Sequence, residues 1–72
     1  MADTNVPSEL NANVWKIEVQ PGDQVAEDDT LIILESMKME IPVVAPKAGT
    51  VKSISVSEGD AVTEGQILVV IG

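Results

Sequence analysis

The chain has 72 residues, a formal net charge of −8, and neither cysteine nor histidine. Disulfides, thiol nucleophiles, the usual zinc ligands and the commonest general base are therefore excluded. Four lysines and no arginine stand against twelve acidic residues, a balance that argues against nucleic acid and against an anionic membrane surface as partners. Residues 1–10 lack the basic start and apolar run of a signal peptide, so we expect a cytoplasmic location. We also expect the protein to be a monomer.

Residues 1–5 are predicted to form a short N-terminal tail, and residues 6–72 a single domain. Eleven valines and seven isoleucines favour β-strands, because β-branched side chains pack well on a pleated surface. The first clear strand has Trp15, Ile17 and Val19 alternating with polar residues. This period of two predicts a half-buried strand with Trp15 on the core face.

A turn at Gln20-Pro21-Gly22-Asp23 follows, then a short strand around Val25 and a polar turn at Glu27-Asp28-Asp29. This acidic turn lacks the alternating ligand spacing of a calcium loop, so no metal site is predicted. The apolar run 31–34 is typical of a strand that is buried on both faces.

The same succession of elements occurs twice. A shift of 37 positions lays residues 6–35 over residues 43–72 with nine identities, among them Gly22/Gly59 and Asp23/Asp60. The second copy repeats the alternating strand, with Ile54 and Val56, and ends in the apolar run 67–71. The sequence therefore predicts an all-β fold of two quasi-symmetric halves, closed as a flattened barrel or sandwich that limits exposed edges.

Residues 36–42 belong to neither copy and connect the two halves. The alternation of residues 35–40 places Lys38 at a hairpin tip between Met37 and Met39. Tight hairpins favour Asn-Gly or Asp-Gly at their two central positions, so Met37-Lys38 indicates a competing functional requirement. The alternative is that the methionines are ordinary strand residues and that Lys38 is an ordinary solubilising charge. The position of Lys38 at a hairpin tip between the two copies of the repeat argues against this alternative.

Catalysis by this lysine is not expected. A Schiff-base lysine requires an uncharged amine, whereas Glu35 and Glu40 favour the charged form. The sequence therefore predicts a protein that is not an enzyme.

The connector and its flanks read Glu35-Ser36-Met37-Lys38-Met39-Glu40, followed by Ile41-Pro42-Val43-Val44-Ala45-Pro46 and Gly49-Thr50-Val51. This pattern resembles the attachment site of the biotinyl/lipoyl carrier domains, above all that of the small stand-alone biotin/lipoyl attachment proteins. The resemblance implies an eight-stranded β sandwich, also called a barrel-sandwich hybrid, of two quasi-symmetric four-stranded halves with the modified lysine on a hairpin tip.

The resemblance also implies a function. A biotin protein ligase would attach biotin to Lys38, and the carrier would take carboxybiotin between the biotin carboxylase and carboxyltransferase sites of a biotin-dependent carboxylase. The residues expected to be recognised by the ligase are those around the lysine: Glu35, Ser36, Met37, Met39 and Glu40. Two alternatives are a lipoyl carrier, with lipoate on Lys38 for an oxidative decarboxylation or aminomethyl-transfer complex, and an unmodified interaction module.

Overall fold

The computed structural model describes residues 3–72, and within these residues all regular structure is β-strand. The strands are β1 (Thr4–Pro7), β2 (Ala12–Ile17), β3 (Gln24–Val25), β4 (Thr30–Ser36), β5 (Met39–Val44), β6 (Gly49–Ile54), β7 (Ala61–Val62) and β8 (Ile67–Ile71). Met1 and Ala2 of the predicted tail lie outside the described residues, and Thr4 and Asn5 belong to β1. No helix of the described part of the chain could cross a membrane.

The strands form two four-stranded antiparallel sheets that share the same topology. One sheet has the order β1-β8-β6-β3 and the other the order β5-β4-β2-β7. Strands four apart in number occupy equivalent places in the two orders: β1 corresponds to β5, β8 to β4, β6 to β2, and β3 to β7. The predicted all-β fold of two quasi-symmetric four-stranded halves is confirmed, and because each sheet takes two strands from each half of the chain, the halves interlock.

Matching hydrogen bonds tie the halves together at equivalent places. The N–H of Gly22 donates to the carbonyl of Val51, and the N–H of Gly59 donates to that of Val14, both at 2.8 Å. Both glycines have a φ near 90°, at 97° and 92°, a conformation that costs a side-chain-bearing residue about 1–2 kcal/mol. The repeated turn motif therefore serves the fold, since each copy fastens itself to a strand of the other half.

The core lies between the two sheets and is aliphatic. Thirteen hydrophobic residues are buried: Val6, Val14, Val25, Leu31, Ile32, Leu34, Ala45, Val51, Val56, Val62, Leu68, Val69 and Ile71. The apolar runs of β4 and β8 supply six of them, as the sequence predicts. Adjacent buried residues occur in each run because the ladder register shifts there, between Thr30 and Ile32 in β4 and opposite Leu68 in β8.

The core prediction for Trp15 is wrong. Trp15 is 50% exposed, and Val14 takes the buried position of β2. The register with β4 shifts between Val14 and Lys16, so Trp15 occupies a β-bulge that reverses the expected alternation. Ile17 and Val19 lie on the core side as predicted, partly buried against the cluster.

Candidate modification site

The β4–β5 hairpin carries the connector singled out in the sequence. Its ladder runs from the pair Thr30/Val44 to the pair Ser36/Met39, so only Met37 and Lys38 form the turn. Both have positive φ, 53° for Met37 and 65° for Lys38. A two-residue turn with positive φ at both positions matches the right-handed twist of the strands that it joins.

This geometry is unfavourable for the residues that adopt it. Each L-residue in the left-handed region brings its Cβ close to the following carbonyl oxygen, at a cost of about 1–2 kcal/mol per residue, which glycine avoids and asparagine tolerates. Met37 and Lys38 are neither glycine nor asparagine, so both carry this cost. Outside this turn, Asp28 is the one further non-glycine residue with positive φ within residues 3–72.

Lys38 is exposed at the apex of the hairpin. Within residues 3–72, its Nζ takes part in no ion pair and no side-chain hydrogen bond. The other lysines are placed differently: Lys16 lies 3.7 Å from a carboxylate oxygen of Glu18, Lys52 is in β6, and Lys47 is in the loop after β5. The turn therefore presents one primary amine, free of partners in the fold, on an extended strand pair.

The five residues predicted to flank the attachment point are brought together as two cross-strand pairs and a turn residue. Ser36 pairs with Met39, and Glu35 pairs with Glu40 one step further from the tip. Like charges directly opposite each other on neighbouring strands are unfavourable, so the glutamate pair does not stabilise the hairpin. Met37 is 91% exposed and Met39 64%, so neither methionine is a core residue.

Sequence reasoning missed two further exposed apolar side chains. The large hydrophobic residues that the described chain leaves exposed are Met37, Met39, Trp15 and Val44, the last at 40%. For Trp15 a signal was present, because the 37-residue shift pairs it with Lys52, a residue that would not occupy a core position. Val44 aligns with Pro7, which indicates an edge strand but not an exposed surface.

Potential metal ligands do not cluster in the part of the chain that the structure describes. No group of three or more of them occurs among residues 3–72. Every buried side-chain nitrogen or oxygen in that range has a hydrogen-bond partner, as Ser8 does through its hydroxyl, which donates to the carbonyl of Leu10 at 2.6 Å.

An interlocked pair of four-stranded sheets with a lysine at the tip of the connecting hairpin is the arrangement of the biotinyl and lipoyl attachment domains. The family described as biotin-requiring enzyme, Biotin_lipoyl, matches residues 5–71, and the chain belongs to it. The biotin carrier proteins and domains of this family are non-catalytic parts of biotin-dependent carboxylases, and the present chain is non-catalytic in the same sense.

Two small proteins are similar to it over most of both lengths. The biotin/lipoyl attachment protein of Bacillus subtilis is 48% identical over 63 residues, which are 88% of this chain and 86% of that protein. A Mycobacterium leprae homologue of the biotinylated protein TB7.3 is 48% identical over 67 residues, 93% of this chain and 94% of the relative.

The fold also recurs within a much larger enzyme. The crystal structure of the urea carboxylase of Kluyveromyces lactis contains a region similar to the whole of this chain, with a TM-score of 0.94 and 36% sequence identity. That region is 6% of the enzyme's chain.

Proposed function

We propose that this protein is a biotin carrier that holds biotin in amide linkage to the Nζ of Lys38. The observation that carries the proposal is the β4–β5 turn. It places a lysine that is exposed, and that has no ion-pair or side-chain hydrogen-bond partner within residues 3–72, at the apex of a two-residue connection whose backbone is unfavourable for both residues. A fold under no external requirement would favour asparagine and glycine at these positions.

The residues present fit the group. Amide formation requires a primary amine with open space around it, and Lys38 supplies both. A biotin protein ligase would first activate biotin as an adenylate. The ammonium of Lys38 would lose one proton, and the free amine would attack the acyl carbon, forming the new N–C bond while the C–O bond to phosphate breaks and AMP leaves. The nitrogen would lose a second proton as the amide forms, and both protons would pass to a base of the ligase or to water. When bound, biotin supplies the carboxyl-carrying chemistry of the partner carboxylase.

The hairpin contributes position. Six register pairs of the β4–β5 ladder connect the tip to the body of the domain. The ladder therefore holds the turn in a defined position relative to the two sheets. The exposed thioethers of Met37 and Met39 offer adaptable apolar contacts on both sides of the lysine. Together with Glu35, Ser36 and Glu40, they form the surface that the ligase reads.

Biotin is preferred over lipoate as the attached group. The relatives include a homologue of a biotinylated protein, and a urea carboxylase is among the solved structures that resemble the chain. The partners expected on this basis are the biotin carboxylase and carboxyltransferase subunits or domains between which the carrier moves.

The proposal is tested by intact-mass measurement of the protein purified from its own cells, followed by peptide mapping. We expect the mass increment of one biotinyl group, located on the peptide that contains Lys38. A lipoyl increment on that peptide, an adduct on another lysine, or an unmodified mass in cells with an active ligase would each contradict the proposal.

A further inference from the structure

A groove of about 290 Å³ separates β1 from β5, the strands that form one edge of each sheet. Its walls are mainly apolar and include Val6, Pro7, Leu10, Ile41, Val43 and Val44. Most of these side chains are only partly buried, so the groove exposes apolar surface that the fold does not cover. Glu9 is the one charged residue in its lining.

The groove is continuous with the modification site. Successive side chains of a strand point to opposite faces, so Met39, Ile41 and Val43 share one face of β5. This row begins one residue after Lys38 and ends in the groove. Three of the four large hydrophobic residues exposed in the described chain, Met37, Met39 and Val44, belong to this hairpin. The partly buried Ile41 and Val43 of this row line the groove, and Val44 lines it from the other face of β5, so apolar side chains lead from the tip toward the groove.

The edges of the groove restrict how it is filled. Pro7 in β1 and Pro42 in β5 have no N–H, so a strand added to either edge would lack a complete ladder. The groove is thus suited to side chains inserted from a partner surface. A net charge of −8 disfavours a second copy of this chain and, with Glu9 at the groove, favours a partner that is basic there.

We propose that the biotin protein ligase inserts apolar side chains, next to a basic one, into this groove while it modifies Lys38. The inference rests on the proposed function and identifies a second contact for the same reaction. A contact on the tip alone involves few side chains, whereas a second contact at the far end of the ladder adds binding energy before the amine reacts. It also distinguishes Lys38 from Lys47, which is exposed in the loop that follows β5.

The test uses steady-state kinetics of a purified biotin protein ligase with the unmodified full-length protein as the varied substrate. Val44→Lys removes apolar surface from the groove and adds a positive charge, and Glu9→Lys reverses the charge at an exposed position of its lining. The matched control is Ala61→Lys, an equally drastic change on β7, the opposite edge of the hairpin-bearing sheet. Thermal unfolding of each variant shows that the fold is retained.

We expect KM for the carrier to rise about five- to tenfold in Val44→Lys and Glu9→Lys, with kcat within about twofold of the wild type, because the lost contact is made equally in the ground and transition states. Ala61→Lys should leave both constants unchanged. Unshifted KM values in both groove variants, with wild-type biotin on Lys38, would overturn the groove inference alone. A wild-type protein that no biotin protein ligase modifies would overturn the proposed function and this inference with it.

Discussion

Ser36 and Met39 are the last register pair of the β4–β5 ladder, so the tip consists of two residues that share a left-handed backbone. The geometry follows from the twist of the strands and does not depend on which residues occupy it. A side chain that is 91% exposed, as that of Met37 is, gives the fold little in return for the unfavourable φ. The fold therefore does not account for the identity of the tip residues.

Replacing Met37 by asparagine should stabilise the protein, because asparagine tolerates positive φ and is favoured at the first central position of such turns. We expect a gain of about 1 kcal/mol, which corresponds to a rise in Tm of about 4–8 °C for a domain of this size. The control is Met39→Asn, which lies in β5 and outside the positive-φ pair. Thermal unfolding that shows no rise for Met37→Asn, or an equal rise for the control, would contradict this account of the turn.

Lys38→Arg should separate modification from folding. The side chain has no partner within residues 3–72, so the variant should unfold within about 0.5 kcal/mol of the wild type. A guanidinium does not lose its proton under these conditions, so no amide should form. The measurement is streptavidin capture after incubation with ligase, ATP and biotin, with Lys47→Arg as the control that should still be captured. Capture of Lys38→Arg would place the attachment point elsewhere.

Sequence reasoning succeeded where the repeat determined the outcome. Gly22 and Gly59, 37 residues apart, identified equivalent turns, and those turns proved to make equivalent hydrogen bonds. It failed at Trp15 because periodicity assumes an uninterrupted ladder, whereas the bulged residue lets Val14 before it and Ile17 after it both face the core while Trp15 itself stays exposed. The groove between β1 and β5 could not be predicted from the sequence either. Its width depends on the distance between two strands that are far apart in the sequence.

The bulge at Trp15 has a consequence that can be measured in solution. Since Trp15 is 50% exposed and is the only tryptophan, its fluorescence reports on this one position. Because the side chain is half exposed, we expect acrylamide to quench it readily in the folded protein, with a Stern–Volmer constant below that in concentrated urea. Acrylamide is preferred to iodide because the negatively charged chain would repel the anion. Near-complete protection in the folded state would return Trp15 to the core and contradict the register shift.

The internal symmetry predicts equal energetic roles for Asp23 and Asp60. In each turn the Oδ2 atom accepts the backbone N–H three residues earlier, that of Gln20 or of Ser57, at 2.9 Å in both cases. Each Asp→Ala change should lower the free energy of unfolding by about 1 kcal/mol, measured by urea denaturation. The two losses should add in the double variant, because the turns share no hydrogen bond.

The matched controls are Asp23→Asn and Asp60→Asn, which keep a side-chain oxygen as acceptor and should lose less than the alanine variants. If the two alanine variants differed by more than about 0.5 kcal/mol, or if asparagine were no better than alanine, these bonds would not be equivalent stabilising contacts. Equal losses would show that the two Gly-Asp turns stabilise the scaffold to the same extent. The residues that break the repeat, Met37 and Lys38 first among them, would then be the ones in which the chain departs from symmetry for the sake of its function.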